Sequence, residues 1–301
     1  MICILSGGTG TPKLLQGVKN KNHICIIVNT AEDVYVSGLY VSPDLDTVVY
    51  TLAGIIDDAK WYGQRDDTYN CYDMMVSLGY RELLKIGDKD RGLKLYRTVL
   101  MNKGISLSEV TEKMCSTLHI DTPVFPMSDQ RVTTKIFTDE GELTFHQFWV
   151  VKRAQVTVKN VVFEGIETAN PVKKALNYMK KSEFILLGPS NPITSIGPII
   201  SMKGYKKILK KKKVLAISPM IGEAPFSGPT GVLMRGLQCK ANCTGVAELY
   251  QDFLDDFVIH TTDVKYKKEI EAMGITVHIQ DILLDSFRKK RDLMKFVECV
   301  V

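Results

Sequence analysis

The chain has 301 residues, 45% of them hydrophobic, which is enough to bury a large core and excludes a disordered protein. Its formal net charge of +5, from 39 basic and 34 acidic residues, is too mild to point to nucleic acid. Seven scattered cysteines make no disulfide framework, and no stretch approaches the roughly 18 apolar residues of a membrane span, so a cytoplasmic protein is expected.

The first elements read as the apolar run ICIL (2–5), the glycine-rich SGGTGTPK (6–13), a helix carrying Leu14, Leu15 and Val18, and a second apolar run, HICIIVNT (23–30). Near-continuous apolar strands are what a parallel sheet covered on both faces requires, so this is a βαβ unit. A glycine turn between strand and helix brings backbone N–H groups close to an anion. Gly7, Gly8, Thr9, Gly10 and Lys13 are the candidates; Lys13 either reaches a phosphate or lies on a solvent face. Two familiar patterns fail here. A P-loop needs glycine before its lysine and Ser or Thr after it, where this chain has Pro12 and Leu14. The dinucleotide fingerprint needs a third glycine where Lys13 stands, although Glu32 and Asp33 follow the second strand, where a ribose-binding acid is expected. A tight turn without a ligand is the alternative.

Residues 45–118 read as a helical insertion expected to pack over the sheet. SPDLDTVVYTLAG (42–54) puts Asp44 and Asp46 at the start of a helix whose apolar stripe is Leu45, Val48, Val49, Leu52 and Ile55. One aspartate there serves as a cap, whereas two flanking a leucine are candidate magnesium ligands, because magnesium prefers oxygen, keeps several waters and bridges diphosphates. Capping is the competing explanation, and it also covers some of the acids in RDDTY (65–69) and IGDKD (86–90). Ser106 with Glu109 forms a capping box.

Residues 132–163 turn β-rich: VTTKIFT and ELTFHQFWVV flank the turn Asp139-Glu140-Gly141, and VTVKNVVF follows, as antiparallel strands extending or flanking the main sheet. Asn170-Pro171 is expected to start the helix VKKALNYMKK. FILLG, VLAIS, FVIH and TVHIQ bring the apolar strands to six, giving an α/β fold with a Rossmann-like, doubly wound, mostly parallel sheet. The lysines between 206 and 213 read as a solvated helix end, and Cys239 with Cys243 lack the second ligand pair a zinc site needs. The loops GPSNPITSIGPI (188–199), with Ser190 and Asn191, and SPMIGEAPFSGPTG (218–231) follow strands and face the same sheet edge as the glycine loop. No repeat, linker or clear break appears, so residues 1–301 are expected to form a single nucleotide-binding domain.

In this order, SGGTGTPKLLQG, VNTAEDVYVSGLYVSPDLDTVVYTLAG, IGDKD, FHQFWV, LLGPSNPITSIGPI and ISPMIG resemble the 2-phospho-L-lactate transferases (CofD-like proteins) of deazaflavin coenzyme F420 biosynthesis. The resemblance implies a magnesium-dependent transferase. It would move a phosphorylated three-carbon acid, the 2-phospho-L-lactate or phosphoenolpyruvate moiety, from a guanosine diphosphate carrier to the hydroxyl of the deazaflavin Fo and release GMP. It further implies that Gly7, Gly8, Thr9, Gly10 and Lys13, with Ser190 and Asn191, bind the diphosphate, and that Asp46 and Lys85 meet the deazaflavin. Asp44 and Asp46 are then the magnesium and catalytic candidates, with Asp46 as metal ligand, general base or substrate contact. Ala31-Glu32-Asp33 departs from the glycine and aspartate pair common in relatives, which leaves Glu32 without an assigned role. The implied partners are these small molecules, with neither nucleic acid nor membrane; a homodimer is compatible with the sequence, which does not fix the subunit number. Two other classes compete: a non-catalytic nucleotide-sugar-binding regulator, opposed by PDLDT together with IGDKD, and an NAD-type oxidoreductase, opposed by the absent third glycine.

Overall fold

A computed structural model describes residues 1–300. Strands β1 (Ile2–Ser6) and β2 (Ile24–Val28) are buried throughout and pair in parallel, Ile4 beside Ile26, with the short helix α1 (Gly10–Leu15) between them. A small hairpin, β3 (Val34–Val36) and β4 (Leu39–Val41), leads into α2 (Pro43–Ala53), which Pro43 opens and Gly54 closes in a left-handed conformation. Helices α3 (Asn70–Ser77), α4 (Asp88–Asn102) and α5 (Leu107–Thr117) complete the helical region, α5 starting with the Ser106–Glu109 capping box.

The chain then re-enters the sheet through β5 (Val124–Pro126), a strand the apolar pattern does not reveal. It has three residues and ends in proline, which is tolerated because β5 lies at the sheet's edge, paired only to β2. Strands β6 (Thr133–Thr138), β7 (Gly141–Thr144) and β8 (Val158–Glu164) form a separate antiparallel sheet in the order β7-β6-β8, so they flank the main sheet and do not extend it. The expected strand ELTFHQFWVV is strand only as far as Thr144; Gln147–Val151 winds into a π-helical turn that buries Phe148.

Helix α6 (Lys173–Lys181) begins two residues after Pro171, and Asn170 does not cap it. Its backbone N–H instead donates to Gln130 Oε1, while Pro171 bridges to Ser128. The remaining elements alternate: β9 (Phe184–Leu187), α7 (Gly197–Ser201), α8 (Lys203–Leu209), β10 (Lys213–Ile217), the hairpin β11 (Met220–Ile221) and β12 (Ala224–Pro225), α9 (Thr230–Gly236), α10 (Cys243–Tyr250), β13 (Asp256–His260), α11 (Lys267–Glu271), β14 (Thr276–Gln280) and α12 (Phe287–Val300). Among the described residues no helix is long and apolar enough to cross a membrane.

The main sheet has seven strands in the order β14-β13-β10-β9-β1-β2-β5, every pair parallel. Alternation along each strand sends Cys3, Leu5, Ile185 and Leu187 into one core layer, and Ile2, Ile4, Phe184 and Leu186 into the other. The flanking sheet contributes Ile136 and Val158 to the first layer; α1, α2 and α12 contribute Leu14, Val48 and Leu293 to the second. From β1 the chain winds outward to β2 and β5, then returns to β9 and winds the opposite way. The crevice between β1 and β9 is therefore the topological switch point, the place where open α/β sheets take ligands.

Candidate active site

Two loops meet over that crevice, the glycine loop after β1 and the GPSNP loop after β9, and they interlock at backbone level. A Cβ added to Gly10 would lie 1.8 Å from the Pro189 carbonyl oxygen, one on Gly188 would lie 2.0 Å from Thr11 Oγ1, and one on Gly7 would lie 2.6 Å from Ser195 Cβ. Gly8 has φ +54, the left-handed region that favours glycine. Several of these glycines thus serve contact between the two loops, a reason for them that a search for phosphate signatures does not supply. The Ser190 hydroxyl donates to the Gly7 carbonyl and accepts from the Thr11 hydroxyl at 2.7 Å and the Thr11 backbone N–H at 3.3 Å. Ser190 braces the glycine loop and is not held out as a free ligand donor. Asn191 behaves differently: its Oδ1 accepts from the Ile193 and Thr194 N–H groups, while its buried Nδ2 has no partner within the protein.

Asp44 points toward this crossing. Its Oδ2 accepts from Asn29 Nδ2 at 2.9 Å, and the Gly8 N–H also donates to its carboxyl. Asn29 donates again to the Thr194 carbonyl at 3.1 Å and accepts from the Ala31 N–H, tying together the loops after β1, β2 and β9 with the start of α2. Beside Asp44 lies Glu32, 7% exposed, whose Oε1 has no protein partner, as is also true of the buried hydroxyls of Thr30 and Thr194. Burial raises the Asp44 carboxyl to about 6, with the bonds from Gly8 and Asn29 opposing it. Burial, and then the charge of Asp44, push Glu32 well above the carboxylate range. From the π-helical segment, the buried His146 donates through Nε2 to the Glu32 carbonyl at 2.7 Å, which connects FHQFWV to this site.

Asp46 faces elsewhere. Positions two apart on a helix do not share a side, so Asp44 and Asp46 leave α2 in different directions. Arg97 holds both Asp46 oxygens, and Lys94 Nζ lies 3.2 Å from Oδ2. Burial alone would raise this carboxyl; the charges of Arg97 and Lys94 outweigh it and hold Asp46 below the ordinary range. Lys94 also pairs with Asp90, which accepts from the Tyr50 hydroxyl. Asp33, accepting from Tyr40 and Ser42 at 2.8 and 2.7 Å, is raised by burial to about 8. The sequence offers Asp44 and Asp46 as joint magnesium ligands; the structure separates them and ties Asp46 to two cations of the protein itself.

The other acidic segments act as helix caps. Asp67 accepts from the Lys89 and Asp90 N–H groups at the start of α4, and Asp88 accepts from those of Asn70 and Cys71 at the start of α3, each segment closing the other's helix. Lys85 is exposed, with its ammonium 4.2 Å from the Tyr69 ring centroid and 5.2 Å from that of Tyr72. Lys13 is half-buried and leans on Trp61, whose ring centroid is 5.3 Å from Nζ. Thr9 precedes α1 without a side-chain cap bond. A surface cleft of about 760 Å³, lined by His119, Asp121, Lys174 and Tyr178, lies at the opposite, amino edge of the sheet and includes none of these loops.

No three His, Cys, Asp or Glu side chains among the described residues form a metal-holding group. Magnesium does not need one, since it takes one or two carboxylates and completes its shell with water and phosphate. Asp44 and Glu32, both hard oxygen donors, with Glu32 Oε1 unpartnered in the protein, fit that requirement. Sequence reasoning did not find Thr11, Asn29, His146, Thr194 or Ser195. All five lie inside motifs that stood out, but nothing in one dimension shows which members of a loop turn inward.

An open, doubly wound sheet with polar loops interlocked at its switch point defines a Rossmann-like α/β protein. The family model described as 2-phospho-L-lactate transferase CofD matches residues 2–295, and the chain belongs to that family. Relatives named 2-phospho-L-lactate transferase include those of Methanococcus vannielii, 46% identical over 98% of this chain and 96% of the relative, and Methanosarcina acetivorans, 46% identical over 98% and 97%. That of Methanocaldococcus jannaschii is 44% identical over 98% of each chain. A crystal structure of a UPF0052-family protein from Bacillus halodurans has a similar fold, with TM-score 0.62 and 17% identity over 93% of this chain and 92% of that one.

Proposed function

We propose that this chain transfers a phosphorylated three-carbon acid from a guanosine diphosphate carrier to the hydroxyl of the deazaflavin Fo, releasing GMP, as a step of coenzyme F420 biosynthesis. The observation that carries the reading is the crossing of the glycine and GPSNP loops at the switch point, with Asp44 and Glu32 beneath it. Relatives named for the same transferase activity support it along nearly the whole chain.

In the reaction the Fo alcohol oxygen attacks the phosphorus bearing the acid, and the bond from that phosphorus to the oxygen of the departing GMP breaks. The protein's part is positioning and electrostatics, the main contributions to phosphoryl transfer. The Gly7–Gly10 backbone, Asn191 Nδ2 and Lys13 hold the diphosphate, while Ser190 keeps the loop in shape. Asp44 and Glu32 would hold magnesium, which supplies charge neutralisation on the phosphates. Asp46 is poorly suited to accept the alcohol's proton, because Arg97 and Lys94 stabilise its ionised form. Asp44, near 6, suits either metal binding or proton acceptance; magnesium calorimetry on Asp44→Asn separates them, since only a ligand's loss weakens the metal.

Purified protein is given magnesium, Fo and either the lactyl or the enolpyruvyl guanosine diphosphate donor. It forms the phosphodiester and GMP in equal amounts. GMP release that does not depend on Fo overturns the reading.

A further inference from the structure

Lys13 and Lys290 share one aromatic ring. Their ammonium groups stand 5.3 and 5.0 Å from the centroid of Trp61, and no carboxylate lies within 4.0 Å of either among the described residues. Asp58 and Asp285 act on Lys290 only from longer range. Each lysine is the fourth residue of its helix, and α1 and α12 leave β1 and β14 from the same carboxyl edge of the sheet.

The arrangement is held rigidly. A Cβ on Gly17 would lie 2.3 Å from the Lys290 carbonyl oxygen, so the backbone just after α1 touches that of α12. Lys290 is 8% exposed and its ammonium donates to Gln16 Oε1 at 2.8 Å. Trp61 has φ +62, a conformation that is strained for a bulky residue, and its backbone N–H donates to the Asp57 carbonyl at 2.7 Å. Burial depresses both lysines, and for Lys290 the charge of Lys13 adds to it. Two like charges beside one ring repel each other, and a bound anion close to both relieves that repulsion. With two ammonium groups already on the indole, the site suits an oxyanion better than a stacked base, and its double charge matches a doubly charged anion.

We propose that Lys13 and Lys290, seated on Trp61, form an oxyanion site for a diphosphate group. Lys290 thereby joins the glycine loop in binding the donor. The link to the donor rests on the function proposed above, whereas the site itself does not.

Calorimetry with inorganic pyrophosphate, inorganic phosphate and GDP tests both parts. The chain has two tryptophans, so Trp149→Phe leaves Trp61 as the only indole, and its emission locates the binding event. Pyrophosphate binds more tightly than phosphate and shifts Trp61 emission. Lys290→Gln weakens pyrophosphate and GDP about tenfold or more, the usual loss for one hydrogen bond between charged groups. Lys290→Arg retains most of the affinity, and both variants melt within a few degrees of the parent. Pyrophosphate affinity unchanged in Lys290→Gln, or no binding by the parent, overturns the site. Lysine-dependent pyrophosphate binding with GDP affinity unchanged by Lys290→Gln overturns only the link to the donor and leaves a site for free pyrophosphate. Fo-independent GMP release, with lysine-dependent pyrophosphate binding intact, counts against the proposed function and not against the site.

Discussion

Arg97 grips both oxygens of Asp46 through its two terminal nitrogens, with the guanidinium wholly shielded from solvent. Removing one partner of such a pair strands the other's charge, at a cost of about 3–5 kcal/mol. Asp46→Asn should therefore lower unfolding stability by about that amount in urea titrations, and Arg97→Met in the same chain should restore part of it. A loss below about 1 kcal/mol would show that the pair is not a structural fixture. Activity lost in Asp46→Asn has meaning only at temperatures where the variant remains folded.

Asp44→Asn should behave in the opposite way. Because burial raises this carboxyl from 3.8 to about 6, the folded state favours its protonated form. The stability this provides is fully present below about pH 4 and is lost as pH rises through about 6. Asp33, raised to about 8, extends the same trend to higher pH. At pH 7 the Asp44→Asn protein should melt a few degrees above the parent in the absence of magnesium, and the difference should vanish near pH 4. A variant less stable than the parent at pH 7 would contradict the assignment.

Gly10→Ala and Gly92→Ala form a contrasting pair. At Gly10 the new methyl would meet the Pro189 carbonyl at 1.8 Å, backbone that cannot move without opening the two loops. The expected result is a loss of at least about 2 kcal/mol and of GDP binding. Gly92 lies in α4 with nothing near its missing side chain, so alanine should add about 0.5–1 kcal/mol by helix propensity. Thermal melts of both variants decide, and Gly10→Ala as stable as the parent would refute the interlock.

Ser190→Ala removes the hydroxyl that joins Gly7 to Thr11 and leaves buried partners unsatisfied, costing about 1–3 kcal/mol. If Ser190 braces the loop and does not bind phosphate directly, Ser190→Thr, which keeps the hydroxyl, should recover most of the donor affinity. Steady-state KM values for the donor measure this, and Ser190→Thr as impaired as Ser190→Ala would refute the brace.

Six of the seven sheet strands are legible as apolar runs because both sheet faces are covered and no polar alternation is needed. Val124–Pro126 is not, since a three-residue edge strand ending in proline looks like a turn until its partner β2 is seen. His146 and Phe148 read as strand residues because their segment is apolar, yet the backbone tightens into a π turn there. The site was legible at the level of loops: three motifs distant in sequence do converge at the switch point. The different surroundings of Asp44 and Asp46 were not legible, because the cations that hold Asp46, Lys94 and Arg97, lie about fifty residues further along the chain. Glu32 stood out in the sequence only as an acid after β2; that it is buried beside Asp44 depends on how the loops meet in space.

The position of β1 also bears on how the chain is made. Strand β1 is made before either of its partners and is bound for the interior of the sheet, where one of its edges is completed only by β9, Phe184–Leu187. At about 5–20 residues per second, synthesis leaves Ile2–Ser6 with an open hydrophobic edge for roughly ten seconds or more. Nascent chains stalled before β9 should therefore engage holdase chaperones, or pair with one another, through that edge.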